Sequence, residues 1–334
     1  MRYTIIVPVY NRKNEVEELL NSAESLDYPR EEFEFLFVDD GSVDNLKDFL
    51  NDYHSKSKLN YRYIYQENSG PAGARNNGMS NSDSEYFLFL DSDCLLPPQW
   101  LKEIDLGIVE NNYDAFGGPD TFHESFSPVL KAVNYSMTSF IGTGGIRGSE
   151  KSVEKFYPRS FNMGISKAVY DKIGGMRLRY YGEDTDFSAR IYDAGFKVGL
   201  ISEAFVYHKR RTSLPLFFKQ ISRIGMSRIV IGNLHKHMLK PIHLLPAMLI
   251  LGLLFLFILS ILIPSIFSWF WIPVFIGFLL ICLLAFYQSY KMYQSIKIGF
   301  LSILALNIQV FGYGYGLLKA IWRFHIIKEN IENK

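Results

Sequence analysis

Two kinds of residue are scarce in this chain of 334 residues. Cysteine occurs twice, at Cys94 and Cys282, which excludes a disulfide framework. Cys282 lies in an apolar run and reads as a small hydrophobe. Negative charge is missing from a long stretch. Between Ala204 and Lys328 there is no Asp or Glu, yet 13 Lys and Arg remain. From Met1 to Glu203 the balance is reversed, with 32 Asp and Glu against 21 Lys and Arg. The formal net charge of +1 thus conceals an acidic half and a basic, apolar half that meet near residue 204. Such asymmetry directs the basic half to a membrane or a polyanion; no nucleic-acid partner is expected. No secretory leader is expected either. Thr4–Val9 is apolar but short, contains Pro8, and runs into Asn11, Arg12 and Lys13, so the N-terminal half is expected on the cytoplasmic side. The Gly-rich stretch Ile141–Pro158, with Gly142, Gly144, Gly145 and Gly148, carries no Gly-Lys-Ser/Thr and is expected to be a mobile loop rather than a phosphate loop.

What is abundant is apolar length. Ile242–Pro264 and Ile266–Tyr287 each offer roughly 20 apolar residues, enough for a hydrocarbon core. Pro264 and Ser265 leave room only for a tight hairpin, and Trp269 and Trp271 near it suit an interface. The basic run Lys209, Arg210, Arg211, Lys219, Arg223, Arg228, Lys236 and Lys240 precedes the first span and fixes that side as cytoplasmic. Lys291 and Lys297, after the hairpin, agree. A third run, Gly299–Leu318, contains Asn307, Gln309, Gly312, Gly314 and Gly316. Its length makes it a third span; its polar and glycine content admits a re-entrant segment or close helix packing. The expected organisation is a cytoplasmic domain over 1–210, a basic interfacial helical segment over 211–240, a membrane domain over 241–322 and a tail over 323–334. The protein is expected in a plasma (inner) membrane.

The first 120 residues alternate β-rich and helical runs. Thr4–Val9, Glu34–Val38, Tyr61–Tyr65 and Tyr86–Leu90 read as buried parallel strands, and Asn14–Leu26, Asn45–His54 and Pro71–Ser80 as helices. That alternation predicts an α/β fold with a mostly parallel sheet, in which ligands sit beyond the carboxyl ends of the strands. Polar clusters fall at all four ends: Tyr10-Asn11, Asp39-Asp40-Gly41-Ser42, Asn68 to Asn77, and Asp91-Ser92-Asp93. Further on, Phe161–Ile165 reads as a strand, Ser166 as the N-cap of a helix ending at Gly174, and Glu183–Ala194 as a helix closed by Gly195. Asp91 and Asp93 stand two apart at a strand end, so strand geometry places both carboxylates on one face, where they can share Mg2+ or Mn2+.

The ordered set Val7-Pro8-Val9-Tyr10-Asn11, Val38-Asp39-Asp40-Gly41-Ser42, Asn68-Ser69-Gly70-Pro71-Ala72-Gly73-Ala74-Arg75-Asn76 and Asp91-Ser92-Asp93 resembles the family 2 glycosyltransferases of GT-A fold. The likeness continues through Phe161-Asn162-Met163-Gly164 and Gly182-Glu183-Asp184-Thr185-Asp186, over about the first 210 residues. It implies an α/β GT-A catalytic domain, Rossmann-like, followed by an α-helical membrane domain. It also implies a nucleotide-sugar donor. Asp39 would bond the base, uracil by expectation. Pro8, Tyr10 and Asn11 would line the base and ribose. Arg75 would approach the phosphates, Asp91 and Ser92 the ribose and metal region, and Asp93 would bind the metal. Asp40 could join them or cap the helix starting near Ser42. Asp184 would be the general base of an inverting transfer, with Glu183 as the fallback. The other reading of these two carboxylates is helix-dipole complementation. His208 would be a third metal ligand, or a lone histidine without that role.

Asn162, Met163, Arg210, Arg211, Gln220 and Arg223 are the candidates for acceptor or diphosphate binding; for the arginines, contact with anionic headgroups is the alternative. Gln220-Ile221-Ser222-Arg223 resembles the start of the Gln-x-x-Arg-Trp motif of processive members, but Ile224 stands in place of Trp. With so few spans, that departure favours one transfer per encounter. The expected function is transfer of a sugar from a nucleotide-sugar to a lipid-linked saccharide. The competing readings are transfer directly to polyprenyl phosphate, and a catalytically silent membrane scaffold. The Gly-rich N-terminal signature of a sugar-nucleotide pyrophosphorylase is missing.

Overall fold

A computed structural model describes residues 1–143, 155–179, 181–209, 213–264 and 266–329. Residues 144–154 of the Gly-rich stretch, and Arg210 and Arg211, lie outside the described residues. The chain divides into two compact units, one of residues 1–123 and 155–209, the other of 124–143 and 213–329.

In the first unit the apolar runs become strands and the amphipathic runs helices, in the order β1 (Tyr3–Val9), α1 (Lys13–Ala23), β2 (Phe33–Asp39), α2 (Leu46–His54), β3 (Tyr61–Tyr65), α3 (Gly70–Ser80), β4 (Tyr86–Leu90), β5 (Cys94–Leu95), α4 (Trp100–Asn111), β6 (Ala115–Gly117) and β7 (Asp120–Thr121). Next in the chain come α5 (Pro128–Thr138) and α6 (Phe140–Thr143), which belong to the second unit. The first unit resumes with β8 (Asn162–Ser166), α7 (Lys167–Ile173), α8 (Glu183–Asp193), β9 (Val198–Leu200) and β10 (Val206–His208).

Seven strands form one sheet in the order β3-β2-β1-β4-β8-β6-β9. β3, β2, β1 and β4 are parallel, and β8 runs antiparallel between β4 and β6. The order reverses direction at β1 and β4, and the gap between their carboxyl ends is where a doubly wound sheet opens a crevice. β1 and β2 are buried along almost their whole length, whereas β3 is an edge strand with half-exposed residues, so only three of the four early runs are buried as expected. Both faces of the sheet are covered. One carries Ile5, Val7, Phe35, Phe37 and Trp100; the other carries Ile6, Val38, Phe87, Phe89 and Phe187. Ser166 caps α7 as expected, its hydroxyl accepting from the Val169 N–H. A second, three-stranded sheet, β5-β10-β7, lies beyond β4.

The second unit adds α9 (Leu214–Leu234), α10 (Leu245–Leu262), α11 (Ile266–Tyr293) and α12 (Ile296–Ile321) to α5 and α6. Three apolar helical stretches, Pro241–Leu262, Trp269–Tyr293 and Ile296–Ile326, are long and apolar enough to cross a membrane. α10 and α11 leave Leu254, Phe255, Phe257, Phe275 and Ile276 exposed, a surface that water would penalise and hydrocarbon would not. α12 differs. It is one continuous helix whose polar groups are used internally. Gln309 donates to the Gly142 carbonyl (2.6 Å), Asn307 to the Ile303 carbonyl (2.8 Å), and Ser302 pairs with Ser289 of α11 (2.6 Å). Its glycines mark close packing. A Cβ at Gly316 would collide with the Ser222 carbonyl of α9, and one at Gly225 of α9 with the Tyr313 carbonyl of α12. Backbones this close leave no room for a side chain. Gly316→Val is therefore expected to destabilise the helical unit by about 1–3 kcal/mol or more, read as a lowered melting temperature in detergent micelles. An unchanged melting temperature would contradict this packing.

The sequence leaves 124–143 within the catalytic half. The structure instead packs α5 among the second unit's helices. Ala132, Val133 and Met137 meet Phe217, Ile221 and Ala305. Asn134 donates to the Tyr293 hydroxyl (3.0 Å), and the Tyr135 hydroxyl donates to Gln288 (2.9 Å). The physical reason is amphipathy: this face of α5 has no sheet to cover and finds its burial on α9, α11 and α12.

Candidate active site

The four polar clusters converge on the carboxyl edge of β3-β2-β1-β4. Gly41, with φ +85°, lets the chain turn sharply after β2. Asp39, 3% exposed, is fixed there by the Tyr63 hydroxyl (2.7 Å) and the Ser42 N–H (2.7 Å). Asn11 holds the first loop against the second, its N–H donating to the Ser42 hydroxyl (2.9 Å) and its side-chain oxygen accepting from the Val43 N–H (2.8 Å). Tyr10 beside it is half exposed. Asp40 is a cap, but of α3 rather than of the helix following it. Its carboxylate accepts from the N–H groups of Ser69 (2.8 Å) and Gly70 (2.9 Å) and from Gln66 (2.7 Å). A buried carboxylate at a helix N-terminus satisfies orphan donors and meets the positive end of the dipole. The Asp40 carboxylate is thereby engaged by the start of α3 and by Gln66.

Strand β4 ends at Leu90, and Asp91–Asp93 form a turn closed by the Cys94 N–H on the Asp91 carbonyl (3.2 Å). The two carboxylates therefore do not follow strand alternation, as the sequence spacing suggested, but diverge. Asp91 accepts from Arg75 Nη2 (2.5 Å). Asp93 Oδ1 lies 3.1 Å from His208 Nε2. The intervening Ser92 is buried.

Arg75 is 2% exposed on α3. Besides Asp91 it faces Glu183 Oε1 at 4.0 Å, while its Nε and Nη1 make no hydrogen bond. Unsatisfied buried N–H groups are costly, and a guanidinium fork so placed fits an oxyanion. α8 begins at Gly182, φ +76°, and presents Glu183 and Asp184 in its first turn. Asp184 Oδ1 accepts from the Thr185 N–H (2.7 Å), and Arg159 lies 3.3 Å away. The sequence reading did not single out Arg159, which also donates to the Thr185 hydroxyl (2.7 Å). The start of α8 is held from below by Asp186, fully buried, which takes Arg177 Nη2 (2.6 Å) and Arg190 Nε (3.2 Å).

Burial and the neighbouring Asp184 carboxylate push Glu183 up to about 7, against the pull of Arg75. Because the folded value is raised, the stability Glu183 contributes is complete below its unfolded value near 4.5 and is lost as pH rises through about 7. Glu183→Gln is expected to flatten the stability profile over that window and to raise stability at pH 8 by up to about 3 kcal/mol. Chemical denaturation at pH 5 and pH 8 measures it; an unchanged difference between the two pH values would refute the assignment.

Among the described residues, Asp93, Cys94 and His208 place ligand atoms within 4.8 Å of one another. The Cys94 thiol is fully buried, interacts with the Phe161 carbonyl (3.7 Å), and is pushed up by burial and nearby carboxylates, so it stays a neutral thiol. Asp93 and His208 are the members of this group that could hold Mg2+ or Mn2+. Their 3.1 Å separation matches adjacent ligands of an octahedral ion, about 3.0 Å apart at bond lengths near 2.1 Å. The donor set fits such an ion. Burial pulls His208 down, but Asp93 and Asp120 raise it further, to about 10.

The named acceptor residues fare unequally. Met163 is 1% exposed in the core, and the Asn162 amide is used up, donating to the Ala204 carbonyl (2.7 Å) and accepting from Trp100 Nε1 (3.1 Å). Neither side chain is free to meet an acceptor: β8 is a central strand, and both residues pack inward. Gln220 and the exposed Arg223 lie about one turn apart on α9.

The sequence profile described as "Glycosyl transferase family 2" matches residues 4–174. The chain is 27% identical over 263 residues to glycosyltransferase AglE of Haloferax volcanii, covering 75% of this chain and 81% of that protein. It is 34% identical over 144 residues to the poly(ribitol-phosphate) β-N-acetylglucosaminyltransferase TarS of Staphylococcus aureus, covering 40% of this chain and only 25% of that one. Among solved structures it resembles the mannosyltransferase PcManGT of Pyrobaculum calidifontis, solved with GDP-Man and Mn2+. The TM-score is 0.64 at 16% identity, over 96% of this chain and 87% of that one, a likeness of fold.

Proposed function

The chain belongs to glycosyl transferase family 2, with a GT-A catalytic fold and candidate membrane helices, and on that footing we propose a specific reaction. It moves a sugar from a nucleotide-sugar, UDP-linked, to a saccharide carried on a membrane lipid, with inversion at the transferred carbon. The observation that carries the reading is the convergence of Arg75, Asp93–His208 and Glu183–Asp184 beyond one sheet edge. Asp39, held by the Tyr63 hydroxyl, would receive the base, and Arg75 would turn toward the diphosphate or the sugar the N–H groups that make no hydrogen bond. Asp93 and His208 would hold Mg2+ or Mn2+, which supplies positive charge to the leaving diphosphate. Asp184 takes the proton of the acceptor hydroxyl as that oxygen attacks. Glu183, whose carboxylate faces Arg75 at 4.0 Å, is the second candidate for that base.

The lipid acceptor rests on the apolar α10–α11 surface and on the carboxylate-free basic stretch before it. In the proposed topology the catalytic unit and the Lys and Arg residues of α9 are both on the cytoplasmic side. A panel of radiolabelled UDP-sugars with extracted membrane lipids tests the reaction. Label should enter an organic-soluble saccharide and should not do so in chelator. Label in water-soluble product alone would overturn the lipid acceptor, and label on the bare lipid phosphate would assign the simpler acceptor.

α12, continuous over 26 residues, is proposed as the third span. One observation favours its lying in the membrane surface instead: it packs along α9, which carries Lys219, Arg223 and Arg228. A cysteine added at the C-terminus should react with an impermeant thiol reagent in intact cells if α12 spans. Labelling only after permeabilisation would place the helix at the surface.

A further inference from the structure

The three-stranded sheet β5-β10-β7 brings two carboxylates from distant parts of the chain to one imidazole. His208 ends β10, pairs with Cys94 of β5, and so stands beside Asp93. β7 pairs with β10 on its other side, with Asp120 opposite Val206. The outcome is an imidazole flanked on both nitrogens: Nε2 by Asp93 Oδ1 at 3.1 Å and Nδ1 by Asp120 Oδ2 at 3.4 Å. The Phe161 ring lies against its face, centroids 4.9 Å apart and planes 24° from parallel. The ring is thus fixed in plane and in rotation. An imidazole that binds a cation through one nitrogen must carry its proton on the other, and an acceptor at that second nitrogen selects the tautomer and increases the basicity of the first.

Resting on the metal reading above, we propose that Asp120 is a positioning residue: it holds the His208 N–H at Nδ1 so that Nε2 faces the cation beside Asp93. Neither the strand-end clusters nor the catalytic helix contains it, and it touches the cation only through His208.

The test is Mn2+ binding to the full chain in detergent micelles with UDP present, followed by electron paramagnetic resonance. Asp120→Ala should weaken Mn2+ about 10–100-fold, and Asp120→Asn, which keeps an acceptor but loses the charge, by less. His208→Ala should weaken binding at least as much as Asp120→Ala. In the His208→Ala background, Asp120→Ala should add nothing, because its route to the ion is gone. An Asp120→Ala variant that binds Mn2+ as the unaltered protein does would overturn the proposal. So would an effect that persists undiminished without His208, since that marks a purely structural role. If the unaltered protein binds no Mn2+, the metal reading itself fails and takes the proposal with it.

Discussion

Asp93→Ala is expected to abolish sugar transfer while the protein stays folded. The side chain faces His208 Nε2 at the position where a cation would meet the leaving diphosphate. Losing that charge stabilisation is worth several kcal/mol, so the rate should fall by about 10³-fold or more. The fold should survive because the tie between this turn and β10 is made by backbone. The Asp93 carbonyl accepts from the Lys209 N–H (2.9 Å), and the Cys94–His208 strand pairing needs no carboxylate. A transfer assay with and without EDTA, beside a melting curve, checks both halves. Full activity in chelator or in the variant would end the metal-dependent reading.

Asp184→Asn should leave donor binding intact and lower transfer by about 10²–10⁴-fold, the usual worth of a general base. The substitution keeps the shape of the side chain and an oxygen for the Thr185 N–H, so the first turn of α8 should hold. It removes the negative charge and basicity that a general base would need to take the acceptor's proton, and it weakens the pairing with Arg159. Calorimetry of donor binding separates the roles. If donor affinity collapses along with activity, Asp184 is a donor ligand and the base lies elsewhere.

The two variants probe residues that the sequence exposes to different degrees. Asp93 and Asp184 sit in short ordered motifs that are visible in the sequence itself. Arg159 and Asp120 do not stand out, because each acquires its place by pairing with a residue far along the chain, Asp184 and His208. Asn162 and Met163 show the opposite error. They belong to a motif, yet the central position of β8 turns Met163 into the core and commits the Asn162 amide to Trp100 and Ala204.

The sequence alone determined the strand and helix succession from β1 to β4, the four polar strand ends, the α10–α11 hairpin and the likeness to the family. These rest on hydrophobic periodicity, turn chemistry and apolar length, which are local properties of a chain. Only the tertiary structure decided that Asp91 and Asp93 part company, one to Arg75 and one to His208. It also decided that Asp40 caps α3, that α5 joins the helical unit, and that the glycines of α12 serve contact with α9. Each of those outcomes depends on which backbone or side chain arrives from elsewhere to satisfy a buried polar group or to fill a space. Such pairings form between residues tens to hundreds of positions apart, and no local pattern encodes them.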